Sequence, residues 1–299
     1  MTLYLKYIYH YLWAFISAVF YRFPSREIFV LGITGTKGKS TTIELINAIL
    51  EEAGYKIAYL SSVRYKIGDE VNKNLTENTM PGRFFIQWFL RKAVNANCKY
   101  ALIEVTSQGV QQSRHCFIDF DAAMFLNLHP EHIEAHGTFE NYRTAKLKFF
   151  EYVARESKKS SKYFFINADD ENMKYFRDVA DGFGLLHFFN PELTFVAKLR
   201  LQNKKFELEF NKENIAAAIS FARSRGITDT VIKNALEKFE GIPGRMEFVQ
   251  VKPFTVVVDY AHTPDSLEKV YRFISSKFKV GTTYELKNLK TNKLICVLG

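Results

Sequence analysis

The run Gly32-Ile-Thr-Gly-Thr-Lys-Gly-Lys-Ser-Thr-Thr42 constrains the fold more than any other part of this chain, because of what flanks it. Residues 28–31 form an apolar run of the buried-strand kind, and Ile43, Leu45, Ile46, Ile49 and Leu50 set an apolar stripe at helical spacing on the other side. The order is strand, loop, helix. Gly35 and Gly38 allow a tight turn in which successive backbone N–H groups face one oxyanion, and the helix start adds its partial positive charge. In such a loop Gly35, Thr36, Lys37, Gly38 and Thr41 form a phosphate cradle. Lys39 is placed for the β and γ oxygens of a nucleotide, and Ser40 offers its hydroxyl to a magnesium ion. The spacing departs from the usual Walker pattern, since Ile33 stands where that pattern has its first glycine.

The composition of the 299 residues, 47% hydrophobic and 24% charged, is that of a globular chain long enough for two domains. Its formal net charge of +9 comes mostly from basic residues scattered among acidic ones, apart from a lysine-rich stretch over residues 277–293. That pattern favours small phosphate ligands over nucleic acid. The three cysteines, Cys98, Cys116 and Cys296, show no paired spacing, which suits a reducing cytosol. Residues 3–21 are nearly all apolar and aromatic, approaching the roughly 20 residues of a membrane helix. Two readings stand there: a segment in contact with a membrane surface, or a helix packed on the neighbouring domain. No small-residue cleavage site follows, so a signal peptide is not expected.

Further along, apolar runs at residues 56–60, 100–105, 122–127 and 163–167 read as strands. Residues 84–94, 141–156, 211–224 and 228–239 read as helices, 61–80 as polar and irregular, and 185–210 as short β-rich segments. This alternation predicts a doubly wound, mainly parallel α/β sheet with its ligand site at the carboxyl ends of the strands. Beyond Gly241-Ile-Pro-Gly244, strands are predicted at 255–259 and 294–298 with a helix at 264–278 between them. That is the opening of a second, Rossmann-like α/β domain. The predicted organisation is an apolar helix over 1–26, a central domain over 27–244 and an incomplete domain over 245–299.

Four places occur in an order that resembles the Mur ligases: the loop Gly35 to Ser40, Glu104 at a strand end, the loop Asn127-Leu-His-Pro-Glu-His-Ile-Glu-Ala-His-Gly137, and Ala145-Lys146 on the next helix. The resemblance runs from about residue 28 to the end of the chain. It implies ATP-dependent ligation of an amino acid to a UDP-N-acetylmuramoyl peptide in peptidoglycan precursor synthesis. Glu104-Val-Thr-Ser-Gln-Gly-Val110, Asn78-Thr-Met-Pro81, Pro243-Gly-Arg-Met-Glu247 and Asp259-Tyr-Ala-His-Thr-Pro-Asp265 are most similar to the branch that attaches the third peptide residue, diaminopimelate or lysine.

The resemblance implies that Thr79, Met80, Thr106, Gln112 and Arg114 hold the muramoyl-peptide substrate, with methionine standing at 80 where the family has a threonine. Loop capping is the competing role for Thr79, Thr106 and Gln112. Asn211 and Asn214 resemble the asparagines at the adenine edge, with an N-cap as the alternative for Asn211. Arg245 and Asp259 would meet the phosphate and ribose of ATP. A magnesium ion prefers oxygen, so Ser40 and Glu104 suit it on their own chemistry. The family adds His132 and a carbamylated Lys146, although a lone histidine is an unusual magnesium ligand and a helix lysine by itself reads as a surface salt bridge. Lys39, Glu104, His132 and Lys146 are the catalytic candidates, and ATP and Mg²⁺ the expected cofactors.

The resemblance also sets limits. The family's UDP-gripping N-terminal domain is replaced by the aromatic segment, and the chain stops before the loops that recognise the amino acid. The sequence is expected to be a monomeric fragment, inactive alone. Folylpolyglutamate and cyanophycin synthetases share the fold and chemistry and form the enzyme alternative, and a non-catalytic ATP-binding subunit the other.

Overall fold

The computed structural model describes residues 3–299 except 77, 131–136, 195, 200, 202–208, 262–263, 279–293 and 298–299. The chain divides into two compact units, Met1–Phe239 and Glu240–Gly299.

The first unit begins with helix α1 (Leu3–Phe20), followed by β1 (Phe29–Thr34), α2 (Lys39–Glu52) and β2 (Ile57–Leu60). Next come β3 (Arg64–Ile67), β4 (Glu70–Lys73), α3 (Arg83–Asn95), β5 (Tyr100–Glu104), the short helix α4 (Ser107–Gln111) and β6 (Ala122–Phe125). The unit closes with α5 (Phe139–Arg155), β7 (Tyr163–Asn167), α6 (Met173–Ala180), β8 (Leu185–Phe189), α7 (Glu209–Ser224) and α8 (Asp229–Lys238). The strands make one sheet in the order β4-β3-β2-β5-β1-β6-β7-β8. From β2 to β8 all neighbours are parallel, while β3 and β4 pair antiparallel at one edge.

The sheet is covered on both faces, which is why its central strands read as continuous apolar runs. Alternate residues still face opposite cores. Leu31 and Ile33 of β1 pack with Ile43, Ile46 and Leu50 of α2 and with the alanine-rich α7. Val30 joins the other core, where Phe89 of α3, Phe149 and Phe150 of α5 and Phe176 of α6 meet the sheet. At Gly32 there is no room for a side chain, because the Phe149 ring lies against its Cα and Phe120 stands beside it. This close approach of α5 to β1 sets the position of Lys146, one turn earlier on the same helix.

The predicted irregular stretch 61–80 instead contains the β3–β4 hairpin. Its signal was masked because β4 is exposed along its whole length and carries no buried alternation. The helix α6 was also absent from the sequence reading.

The second unit contains the antiparallel pair β9 (Glu247–Gln250) and β10 (Val256–Val258) and the helix α9 (Pro264–Phe278). Phe248 and Phe278 bring their ring centroids to 6.3 Å. The predicted last strand is not seen: residues 294–297 are irregular and exposed. An apolar run becomes a strand only when a neighbour takes its hydrogen bonds, and no described strand lies beside this one.

Candidate functional site

Strand β1 lies between β5 and β6, at the point where the strand order reverses. The register places Ile33 beside Glu104 and Thr34 beside Phe125, so three carboxyl strand ends converge where the phosphate loop begins. This is the switch-point crevice that open α/β sheets use for ligands.

The loop is held from outside. The Asn127 side chain accepts from the backbone N–H groups of Thr36 (3.1 Å) and Lys37 (2.9 Å), and its amide donates to the Lys37 carbonyl (3.2 Å). The Thr36 hydroxyl accepts from the His129 N–H (3.0 Å) and lies 3.2 Å from the Tyr142 hydroxyl. Gly38 caps α2 in the left-handed conformation (φ 84°), and a Cβ there would overlap the Asn214 side-chain amide. Glycine is therefore required twice over, by backbone angle and by space. Asn214 also accepts from Thr42 Oγ1 at 3.3 Å.

Lys39 folds back on the loop, donating to the carbonyls of Gly35 and Thr36 (both 2.9 Å), with Glu104 Oε1 3.8 Å away. Glu104 is buried. Its Oε2 accepts from Ser40 Oγ (2.9 Å) and from the Ser62 N–H (2.9 Å), and the two serine hydroxyls lie 2.9 Å apart. The arrangement of Ser40 and Glu104 fits a hard divalent cation, which takes a hydroxyl and a carboxylate oxygen as ligands. Among the described residues no cluster of three or more His, Cys, Asp or Glu side chains is formed. His132 lies outside the described residues.

Lys146 corrects the surface reading that its sequence context alone suggested. It is 2% exposed, donates to the Gly35 carbonyl at 2.8 Å, and stacks its ammonium 4.6 Å from the Tyr142 ring centroid. A lysine from α5 thus reaches the phosphate loop through the core.

A second cluster forms around Gln112. Arg114 donates to Gln112 Oε1 (2.7 and 3.1 Å), to Asn78 Oδ1 (3.4 Å) and to the Met80 carbonyl. The Met80 side chain is buried and its sulfur lies against Gly109, so what it turns outward is its carbonyl. Thr106 caps α4, accepting from the Gly109 N–H at 3.0 Å, and Thr79 is half-buried. Arg83, at the first position of α3, donates to the Gln112 carbonyl, and its buried Nε has no hydrogen-bond partner among the described residues. Burial pulls the Arg83 pKa below the usual arginine range, and the charge of Arg114 lowers it further. Burial also lowers Arg114.

In the second unit Asp259 accepts from the Met246 and Ala261 N–H groups (both 2.7 Å), and Arg245 stacks 4.6 Å over the Tyr260 ring. Asn211 lies in the first turn of α7. Ser62, Asn127, Tyr142 and Arg83 were not assigned roles from sequence. Only Asn127 carried a signal, as the first residue of the histidine-rich motif.

A covered parallel sheet with this loop at its switch point defines a P-loop α/β protein. The Mur ligase middle domain matches residues 33–236, and the Mur ligase glutamate ligase domain matches residues 244–299. The chain belongs to the Mur ligase family. It is 34% identical over 306 residues to a UDP-N-acetylmuramoyl-L-alanyl-D-glutamate–2,6-diaminopimelate ligase of Syntrophomonas wolfei, covering 96% of this chain and 59% of that protein. It is 33% identical to a UDP-N-acetylmuramyl-tripeptide synthetase of Roseiflexus, covering 87% of this chain and 56% of that one. The chain therefore spans a little over half the length of these relatives. A solved diaminopimelate ligase structure superposes with a TM-score of 0.64 at 24% identity, covering 83% of this chain and 54% of the other. A folylpolyglutamate synthase/dihydrofolate synthase from Yersinia pestis shares the fold at TM-score 0.62, 18% identity and 90% coverage of this chain, 71% of its own.

Proposed function

We propose that this chain is the nucleotide-binding part of an ATP-dependent ligase that joins an amino acid to a UDP-N-acetylmuramoyl dipeptide. The observation that carries this reading is the buried Lys146 delivered to the Gly35 carbonyl beside the Ser40–Glu104 pair. A plain phosphate loop has no use for a second buried lysine on its inner side.

In this reading the loop amides and Lys39 hold the phosphates, and Lys39 leaves its two carbonyls to follow the transferred group. The substrate carboxylate attacks the γ-phosphorus and ADP departs, forming an acyl phosphate. The incoming amine then adds to the acyl carbon, and phosphate leaves from the tetrahedral intermediate. No side-chain nucleophile takes part, and catalysis rests on positioning and charge stabilisation. Magnesium would be held by Ser40 and Glu104, with His132 and a carbamylated Lys146 as further ligands, and would supply charge neutralisation at the phosphates. Carbamylation requires the neutral amine and turns the Lys146 cation into an oxygen-bearing anion. Thr79, Thr106, Gln112 and Arg114 would hold the dipeptide substrate, the Arg114 fork suiting a carboxylate. Arg83 adds a second guanidinium beside it. Lys37 and Thr41 would line the loop and Asn211 and Asn214 would meet the adenine edge; in the second unit, the resemblance gives Arg245 and Asp259 the phosphate and ribose contacts. We assign the domain limits as 27–244 and 245–299, and the protein as a cytoplasmic monomer in its catalytic role.

Calorimetric titration of the chain tests this reading with magnesium-ATP, UDP-N-acetylmuramoyl dipeptide and a folate polyglutamate in turn. Binding of the first two, with Arg114→Met weakening only the dipeptide, is the expected result. Preference for the folate would move the chain to the folylpolyglutamate branch, and failure to bind nucleotide would overturn both.

A further inference from the structure

Helix α1 has two opposite faces. Ala14, Ser17 and Ala18 are buried, and the helix packs through this small-residue side on α3. Diametrically across the helix, Leu5, Tyr9, Leu12, Ile16, Val19 and Phe20 are all exposed, Phe20 to 69%. Their spacing of three and four residues makes one continuous apolar stripe along the full length of the helix. Phe84 of α3 lies beside the Phe20 ring, with centroids 6.3 Å apart, and the stripe is otherwise open among the described residues.

The end of the stripe is cationic. Arg22 and Phe23 take left-handed backbone angles (φ 57° and 49°), which stop α1 abruptly. Beside this turn a hollow of about 290 Å³ is lined by Phe20, Tyr21, Arg22, Arg91 and Asn95. The Arg91 guanidinium braces its wall, donating to the Tyr21 carbonyl (3.0 Å) and the Arg22 carbonyl (3.2 Å), and its charge is met by Glu27 at 2.7 Å. The exposed Arg22 has no such carboxylate among its described contacts.

We propose that α1 docks the protein on an anionic lipid surface. The helix lies in the interface plane with its apolar stripe in the acyl–headgroup boundary, and the hollow at Arg22 faces the lipid phosphates. Three observations select this occupant. The α1 sequence contains tyrosine and tryptophan among its aliphatics, the mixture that suits a boundary between hydrocarbon and water. The helix contains no carboxylate and the exposed Arg22 stands just past its end, so the charge beside the stripe is of the sign that anionic headgroups neutralise. No helix among the described residues is long and apolar enough to cross a membrane, and the one-sided exposure of α1 suits a helix that lies flat. The active cleft at the switch point would thereby work beside a bilayer.

Flotation of the full chain with phosphatidylcholine vesicles, alone and mixed with phosphatidylglycerol, tests the proposal. Uptake by the mixed vesicles that falls with added salt is expected. Arg22→Glu should weaken it roughly tenfold or more, since each basic residue at an anionic surface contributes about 1 kcal/mol and the reversal removes one cation and adds an anion. Leu12→Glu with Ile16→Glu should abolish it. Both positions are exposed, so the melting temperature and nucleotide affinity of this double variant should match wild type. Equal flotation of the double variant, or none for wild type, overturns the proposal. So does a wild-type dimer, without lipid uptake, that the double variant dissociates, since a second copy would then be the occupant. Binding of free glycerol phosphate by the chain, with no uptake by either vesicle, would also overturn it, assigning the hollow to a soluble phosphate.

Discussion

At the phosphate loop, polar groups are matched: Lys39 and Lys146 both donate to loop carbonyls, Asn127 clamps two loop amides, and Ser40 and Ser62 converge on Glu104. Around Gln112 the balance is different. Arg83 and Arg114 are partly buried side by side, and among the described residues neither has a carboxylate partner and the Arg83 Nε has no hydrogen-bond partner. The loop is a cradle whose backbone is fixed by its own protein partners. The arginine cluster holds charge with no carboxylate beside it among the described residues, and such charge costs stability. Within one unit, then, the polar groups of one cluster are matched internally and those of its neighbour are not.

The cradle should tolerate little distortion. Gly38→Ala should destabilise the chain by about 2–4 kcal/mol, adding the left-handed penalty to the overlap with Asn214. Urea melts measure it. Pairing the change with Asn214→Ala should recover the overlap but not the backbone penalty, and full recovery would show that the φ requirement is idle.

Acid should act on the other side of the comparison. Burial pushes the His115 pKa from 6.5 down to about 3, so the unfolded chain takes the proton first. Stability is fully present above about pH 6.5 and declines as pH falls toward 3, by a few kcal/mol in total. His115→Phe should flatten that part of the pH profile, and an unchanged slope would place the acid sensitivity elsewhere.

Lys39→Ala removes a charge-assisted phosphate contact and should weaken magnesium-ATP binding by about 1.5–3 kcal/mol, ten- to a hundredfold, as read by calorimetry. Equal affinity would sink the assignment of the loop. The smallest effect sharpens the contrast. Arg83→Met should leave the melting temperature unchanged or raise it by about a degree or two, because a partly buried charge with no carboxylate beside it among the described residues is removed. The same variant should weaken binding of the anionic dipeptide substrate. A clear loss of stability would make Arg83 structural.

Much of the fold was legible because parallel strands buried on both faces leave apolar runs of strand length, and helices leave a 3.6-residue period. β5, β7 and α9 were found within about a residue on that basis alone, while β1 runs past its expected end at Leu31 to Thr34. The exposed β4 carried no burial signal and was missed, and residues 294–297 carried an apolar signal but no strand. The phosphate loop was legible because glycine, lysine and serine must be contiguous to wrap one phosphate. Its clamps were not, since Asn127 and Ser62 come from other strand ends that meet the loop only through sheet register.

The sequence by itself determined the phosphate loop, the α/β alternation and the family, because each depends on neighbours in the chain. Tertiary structure decided what Lys146, Arg83 and α1 are. Gly32 lets α5 close on β1 and so buries Lys146 at the loop, the packing of α3 sets Arg83 beside Arg114, and the small face of α1 turns its aromatic stripe outward. Each of these depends on which surfaces meet across long sequence separations, and pattern along the chain does not record that.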